Sequence, residues 1–526
     1  MSQVMGPGRG RTTVFLVMAA ISLLALAYSY RYDLGRGFSE PDDFWNVRSA
    51  QQLASHPERQ LREARDARFG FRPLLRAYDC AVISLLAQNP RLLFVHNFTL
   101  FLVCVGLVFS IAYRLSSNRA LSLGASVLFA FHPANVSVVS IASWGNVAFY
   151  ALALLVVRLL VPIAIEENSR PARYLASAWV ALVLAALLGF AYEGTLWLLL
   201  IQAPLFFRAS RRTQSKAYVL LSALAVAALL GHGLLRYLLS PAVASTEVVR
   251  GSAVRYGLKT PTRFLVSLAA MYASFGMIVD PLLLFNPVSQ TLPRGATGLV
   301  REPGVALSLA TSILVSLAVL VWSFVVWRRR RGIDDGTAGA PLALVVMSLC
   351  SLLAQSVAAL ATDAYLFIGN GLWSIAAVLL VGGLTGRRRM KAHSAAVSAL
   401  VAAVVLGVAL TRMAGTTNRN RLLADKAKIV AHLQSELRAV ARDYKGEDLY
   451  FVTAAPFRGY SIYGRKTVET LLNSPWFASV TLGRDLRVHR VALESLPHLR
   501  GASDDPRMVL LVDAEGDVSD LSEETR

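Results

Sequence analysis

The chain has 526 residues, of which 55% are hydrophobic and only 16% charged, and its formal net charge is +20. A soluble protein of this size carries more charge, so the composition excludes an ordinary globular enzyme and points to a chain that crosses a membrane many times. The positive charge does not mark a nucleic-acid surface. Basic and acidic residues nearly balance from Arg412 onward, and the excess lies in short loops: Arg9 and Arg11, Arg114 and Arg119, Arg170 and Arg173, Arg208 to Lys216, Arg328 to Arg331, and Arg387 to Lys391. Basic clusters on alternate loops are the positive-inside signature, which places those loops in the cytoplasm.

Apolar runs long enough to cross a ~30 Å hydrocarbon core as helices recur along the chain. They predict spans at about 12–30, 92–113, 120–138, 143–163, 174–191, 195–208, 217–239, 303–327, 340–361, 366–385 and 394–411. Arg9 and Arg11 before the apolar run Val14–Tyr28 resemble a signal sequence. No small-x-small cleavage site follows, so an uncleaved first span is expected. The loop from 31 to 91 is then external, with surface helices near Trp45–His56 and Pro57–Ala67. Counting 264–280 as a span would break the charge rule, so that segment reads as an interfacial or re-entrant helix followed by Asp280-Pro281 and Asn286-Pro287 turns.

The fold class expected is therefore an all-α polytopic membrane protein of about eleven spans over residues 1–411, with a small external α/β domain over 412–526. In that tail Leu422, Ile429, Leu433, Leu437, Val440 and Tyr444 form a helical stripe. Strand-like runs follow at Leu449–Thr453, Ser479–Leu482, Leu486–Val491 and Met508–Asp513, and the last residues read as disordered. Cys80, Cys104 and Cys350 have neither disulfide nor metal spacing.

Chemistry is concentrated on the external side. Asp42 and Asp43 are adjacent carboxylates in the first loop. Their repulsion can raise one pKa toward that of a general base, or the pair can hold a divalent cation; a helix N-cap is the structural alternative. Arg72, in Phe71-Arg72-Pro73-Leu74, can grip a phosphate bidentately or simply snorkel to the headgroups. His132 and Asn135, in Phe131-His132-Pro133-Ala134-Asn135, end the third span; Asn146, in Trp144-Gly145-Asn146, opens the fourth. They line a cavity or close a proline-broken helix end. Glu193, in Tyr192-Glu193-Gly194, and Asp363 are ionisable residues at span ends facing the same compartment.

The order of these motifs, from the acidic pair through FRPL, FHPANVSVVSIASWGN, YEGT and DPLLLFNPVS to TDAYLF, resembles the C-type membrane glycosyltransferases. It is most similar to bacterial relatives of the protein O-mannosyltransferases and of the transmembrane, tetratricopeptide-repeat mannosyltransferases. The resemblance covers roughly residues 12–385. The chain departs from it at Ala361-Thr362-Asp363, where relatives often carry an Arg, at Asn135 in place of a second His, and at Tyr192 in place of a Lys; its tail is no tetratricopeptide array.

The resemblance implies a hexosyl- or mannosyl-type glycosyltransferase that uses a polyprenyl-phosphate-linked sugar. Arg72 would hold the donor phosphate, and Asp42 or Asp43 would deprotonate an acceptor hydroxyl on a protein, glycan or lipid for inverting attack. Glu193, His132, Asn135, Asn146 and Asp363 would line the cavity. It also implies a bacterial inner membrane, with the N-terminus cytoplasmic and the C-terminus periplasmic. No cofactor is required by these residues beyond a divalent cation on Asp42 and Asp43, if any. Two other functions fit the sequence less closely: a transporter or flippase of lipid-linked glycans, and a non-catalytic scaffold presenting the tail. The notable polar residues sit at outer span ends rather than mid-membrane, which argues against transport.

Overall fold

The computed structural model describes residues 7–39, 41–55, 72–86, 89–140, 145–165, 171–239, 261–280, 303–330, 339–357, 366–385, 393–453, 471–472, 475–484, 486–492, 507–513 and 517–521. Sixteen helices organise them. α1 (Pro7–Ser29), α2 (Pro41–Ser55), α3 (Pro73–Leu86), α4 (Pro90–Ser116), α5 (Arg119–Ala130), α6 (Val136–Val139), α7 (Asn146–Ile165) and α8 (Pro171–Ala191) make up the first half. α9 (Trp197–Thr213), α10 (Lys216–Leu239), α11 (Pro261–Phe275), α12 (Pro303–Arg330), α13 (Ala340–Val357), α14 (Phe367–Thr385), α15 (His393–Val440) and α16 (Pro475–Leu482) follow.

Among the described residues six helices are long and apolar enough to cross a membrane, within α1, α4, α7, α8, α10 and α12. The chain is thus an integral, multi-pass membrane protein. α5 and the Pro133–Val139 segment are together apolar enough for a seventh crossing but are bent by 56°, the geometry of a broken span or of a re-entrant loop. The cause is local, because Pro133 has no N–H to continue the α5 ladder.

The expected count of about eleven is therefore supported only in part. The other expected spans are also helical, and none of them reaches span length within the residues whose side chains are described. α9 has 17 residues and ends in Arg211 and Arg212. The apolar parts of α13 and α14 are only Ala340–Leu353 and Phe367–Gly382. The last expected span is the start of α15, whose first ten side chains lie outside the described residues.

The centre of the membrane part is aromatic. Phe129 meets Phe367 edge-on with ring centroids 5.1 Å apart, and Tyr150 stacks on Phe367 at 5.2 Å. These contacts draw α5, α7 and α14 together around α4, whose Phe101 is fully buried.

α15 is the principal connection between the two parts of the chain. It runs unbroken for 48 residues, from the expected last span through the expected stripe of the tail, so the division at 411/412 falls inside one helix. Polar side chains on its buried face stitch other elements to it. Arg412 donates to Leu128 O, Phe275 O and Met277 O, each at 2.7 Å. These are carbonyls at and just beyond the C-terminal ends of α5 and α11, groups that a helix cannot satisfy internally. Thr416 Oγ1 donates to Phe131 O at 2.9 Å. Arg419 grips Asp280 with two bonds, Nε to Oδ2 at 2.6 Å and Nη2 to Oδ1 at 3.0 Å, in a buried pair. The expected helix 264–280 is accordingly α11 followed by a short turn, tied at its end to α15.

Beyond α15 the tail forms a four-stranded sheet in the order β2-β1-β3-β4, made of β1 (Asp448–Thr453), β2 (Arg487–Ala492), β3 (Arg507–Val512) and β4 (Val518–Asp520). β1 is parallel to β2 and β3, while β4 is antiparallel at one edge. Three expected strands are present. The fourth, Ser479–Leu482, is the end of α16 instead, a helix that begins at Pro475, a residue whose fixed φ suits the first turn. The acidic helix α2 packs against both α16 and α3. The expected helix over 57–67 and the disordered end lie outside the described residues.

Candidate active site

The acidic pair lies in the first turn of α2, with Pro41 opening the helix. Asp43 is buried, and its Oδ2 accepts the backbone N–H of Ser39 at 3.1 Å. A carboxylate reaching back over a helix start satisfies an otherwise orphaned donor and favours the positive end of the helix. Asp42 precedes it on the same turn; its side chain lies outside the described residues.

From Asp43 a polar chain runs inward. Arg36 Nη1 donates to Ser39 Oγ at 3.0 Å and pairs with Asp33. Ser140 Oγ lies 2.9 Å from both Asp33 Oδ2 and Asn420 Oδ1, and Asn420 Nδ2 donates to Ser29 O. Burial pushes the Asp33 carboxyl up to about 6, opposed by Arg36 and by the Ser140 hydrogen bond. None of Asp33, Arg36 and Asn420 was singled out from the sequence.

Arg72 is the residue before α3, and its carbonyl accepts the first helical bond, from Arg76 N. Its guanidinium lies over the ring of Tyr192, 5.0 Å from the centroid. Tyr192 in turn meets Tyr150 edge-on at 5.9 Å, so the cation stands at one end of the aromatic core. Arg72, Arg76 and Asp79 share one face of α3 by their spacing of four and three.

Asp79 is buried, and its ordinary value is pushed up to about 7 by that burial, against the pull of Arg76, the Gly145 N–H and Arg72. Its Oδ1 makes no hydrogen bond of standard geometry among the described residues. Gly145 has no alternative at this position: a Cβ would collide with Asp79 Oδ1 and the Tyr78 ring. Beside it, Tyr78 OH meets His96 Nε2 at 2.5 Å. Burial, with the Asp79 charge, pushes the Tyr78 phenol up to about 12.

Three separate sequence motifs thus converge on Asp79: Arg72 from FRPL, Gly145 from WGN, and Tyr192 from YEGT through Arg72. Asn146 begins α7 beside Gly145; it is buried and its Oδ1 has no hydrogen bond among the described residues. Glu193 opens a short turn, Glu193–Thr195, directly after Tyr192; its side chain lies outside the described residues. Asp363 lies outside them altogether.

His132 and Asn135 stand elsewhere, at the break between α5 and α6. His132 Nδ1 accepts the Ala134 N–H at 3.2 Å, which leaves Nε2 to carry the proton and donate to Ser274 O at 3.0 Å. Asn135 Nδ2 donates to Phe129 O at 2.6 Å. Both are buried and close the proline-broken helix end, the structural alternative weighed for them above. Among the described residues no group of three His, Cys, Asp or Glu could hold a metal ion.

No protein-family model matches the chain, and no curated protein matches it. Solved structures do resemble it. ArnT from Cupriavidus metallidurans bound to undecaprenyl phosphate is 12% identical, with 95% of this chain and 93% of that chain covered and a TM-score of 0.44. The Archaeoglobus fulgidus oligosaccharyltransferase in its apo form is 12% identical, with 90% of this chain and 64% of that chain covered and a TM-score of 0.48. The same organism's AglB in complex with an inhibitory peptide and a dolichol-phosphate is 11% identical, with the same coverage and a TM-score of 0.45.

Proposed function

We propose that the chain is a membrane glycosyltransferase that moves a sugar from a polyprenyl-phosphate donor to an acceptor on the external side. The observation that carries this reading is the packing of α2 on α3. It sets the helix bearing Asp42 and Asp43 directly against the helix headed by Arg72, through Val47, Ala50 and Ile83. Carboxylates fit to take a proton and a guanidinium fit to hold a phosphate thereby stand on neighbouring helices, although the loop between them separates them in sequence. The donor is of the chemical class named with the ArnT and AglB structures.

In this reading Asp42 is the general base. Asp43 is buried with one oxygen on the Ser39 N–H, so it fixes the helix start. An acceptor hydroxyl gives its proton to Asp42 as its oxygen bonds to the anomeric carbon from the face opposite the phosphate. The bond from that carbon to the phosphate oxygen breaks, and the polyprenyl phosphate leaves as an anion held by Arg72. The leaving group is already a stabilised anion and needs no acid. The sugar in this reading is a mannosyl or another hexosyl group, and the acceptor a protein, glycan or lipid. A bacterial inner membrane, with the acid pair on its periplasmic side, is the setting that this reading assigns.

Membranes containing the wild type, Asp42→Asn or Arg72→Ala at equal protein levels test it, with transfer of label from an undecaprenyl-phosphate hexose as the readout. Loss of transfer in both variants is the expected result, and normal transfer in both removes the assignment. Accumulation of the lipid-linked sugar in vesicles without a covalent product would favour a flippase instead.

A further inference from the structure

The proposed donor site contains a buried acid that the transfer step does not use. Asp79 lies one helical turn and two turns from Arg76 and Arg72 on the same face of α3, and it is buried. We propose that Asp79 is a positioning residue that sets the anion affinity of the Arg72–Arg76 pair. As a carboxylate it holds the two guanidiniums as its own counter-ions; as a neutral acid it releases them to the phosphodiester of a lipid-linked ligand.

The surroundings leave few other partners for its charge. From its own helix Arg72, Arg76 and Tyr78 face Asp79, and the Tyr78 hydroxyl is already on His96 of α4. The turn before α7 contributes a backbone N–H from Gly145, and the turn after α8 contributes the Tyr192 ring beneath Arg72. On the other side of α3, α2 presents Val47 and Ala50, which are apolar. The carboxyl is therefore buried, with two cations and one amide opposing the cost of that burial, and its raised value near neutrality follows from that balance. An anion arriving at Arg72 and Arg76 removes the cations' stabilisation of Asp79, so binding and proton uptake by Asp79 must be linked. The proton comes from solvent and stays on Asp79 while the anion is bound.

The identity of the ligand rests on the donor reading above; the linkage does not. The purified full-length protein in detergent is titrated with undecaprenyl phosphoryl glucose and, separately, with phosphatidylglycerol, from about pH 6 to about pH 9. Both probes are phosphodiesters whose charge is constant over that range. In the wild type, affinity should fall above about pH 7, approaching tenfold per pH unit for one linked proton. Asp79→Asn should bind tightly with a flat profile, and Arg76→Gln should have a shallower slope than the wild type.

A flat wild-type profile overturns the proposal without any variant. So does an Asp79→Asn protein that keeps the wild-type slope or binds more weakly at high pH. If phosphatidylglycerol binds with the same affinity and slope as the undecaprenyl probe, Asp79 keeps its role and the donor reading of Arg72 fails. Preference for the undecaprenyl probe with the same slope supports both.

Discussion

Phe44 stands edge-on against Phe477, with ring centroids 5.1 Å apart and planes at 81°. The residue immediately after the acidic pair is thus embedded in the tail. It is fully buried in a core shared with Val430, Leu433 and Leu437 of α15 and with Phe451 and Leu510 of the sheet. The sheet domain therefore grips the start of α2 directly.

That grip is measurable. Phe477→Ala should destabilise the external part by roughly 3–5 kcal/mol, the usual range for emptying a buried aromatic site. Hydrogen exchange of the α2 amides should accelerate while peptides from α4 and α7 keep their protection. A double-mutant cycle with Phe44→Leu should give a coupling of about 0.5–1.5 kcal/mol. Additivity of the two changes would mean that the ring pair transmits nothing.

The two aspartates should separate cleanly. Asp42→Asn should lower turnover by roughly 10²–10⁴, the range for loss of a general base, with little change in KM for the lipid donor. Asp43→Asn keeps a carbonyl oxygen for the Ser39 N–H and should retain most of the activity, whereas Asp43→Ala should lose about 0.5–2 kcal/mol of stability along with the cap. Steady-state transfer kinetics and thermal melts decide this. The opposite pattern would exchange their roles.

Asp33 makes stability depend on pH in an unusual direction. Its folded value of about 6 lies above the ordinary 3.8, so between those values the folded chain binds more protons than the unfolded one. Stability from this group is present below about pH 4 and is lost as pH rises through 6, a difference of roughly 3 kcal/mol. Melting the detergent-solubilised protein across this window should show the slope, and Asp33→Asn should flatten it. A slope unchanged in Asp33→Asn would assign the effect to another carboxyl.

Arg412 should be the most sensitive basic residue in α15. Arg412→Met leaves three buried carbonyls without their donor, and each such loss is worth roughly 1–3 kcal/mol. Arg412→Lys, a single ammonium on a flexible stem, should recover only part of it. Yield and melting temperature of the two variants, compared with exposed Arg421→Lys, provide the check.

What could be read beforehand follows from the kind of signal each element leaves. Helices such as α4 and α7 announce themselves because a bilayer demands a long apolar run and nothing else. α3 left a subtler mark. Arg72, Arg76 and Asp79 have helical spacing about Pro73, which suits a first turn, but only Arg72 was singled out, as a phosphate grip or a snorkelling side chain. For Ser479–Leu482 the sequence pattern failed because a short apolar run does not distinguish a strand from a buried helix end. The acidic pair and Arg72 stood out as charged residues at a membrane face. Asp33, Asp79 and Asp280 did not, because their significance lies in partners more than sixty residues away or in burial, neither of which leaves a local motif. His132, which the sequence left between a cavity wall and the close of a proline-broken helix end, makes two backbone contacts of the second kind.

The unbroken α15 has a consequence for how the protein meets its acceptor. A helix of 48 residues is a rod of about 72 Å. Anchored at Arg412 and Arg419, it denies the sheet domain the swing of a tethered lobe. Under the proposed transfer reaction the domain could not forage for acceptors beyond its own footprint, and an acceptor would have to be delivered to one fixed address. Throughput would then be limited by traffic to that address rather than by reach.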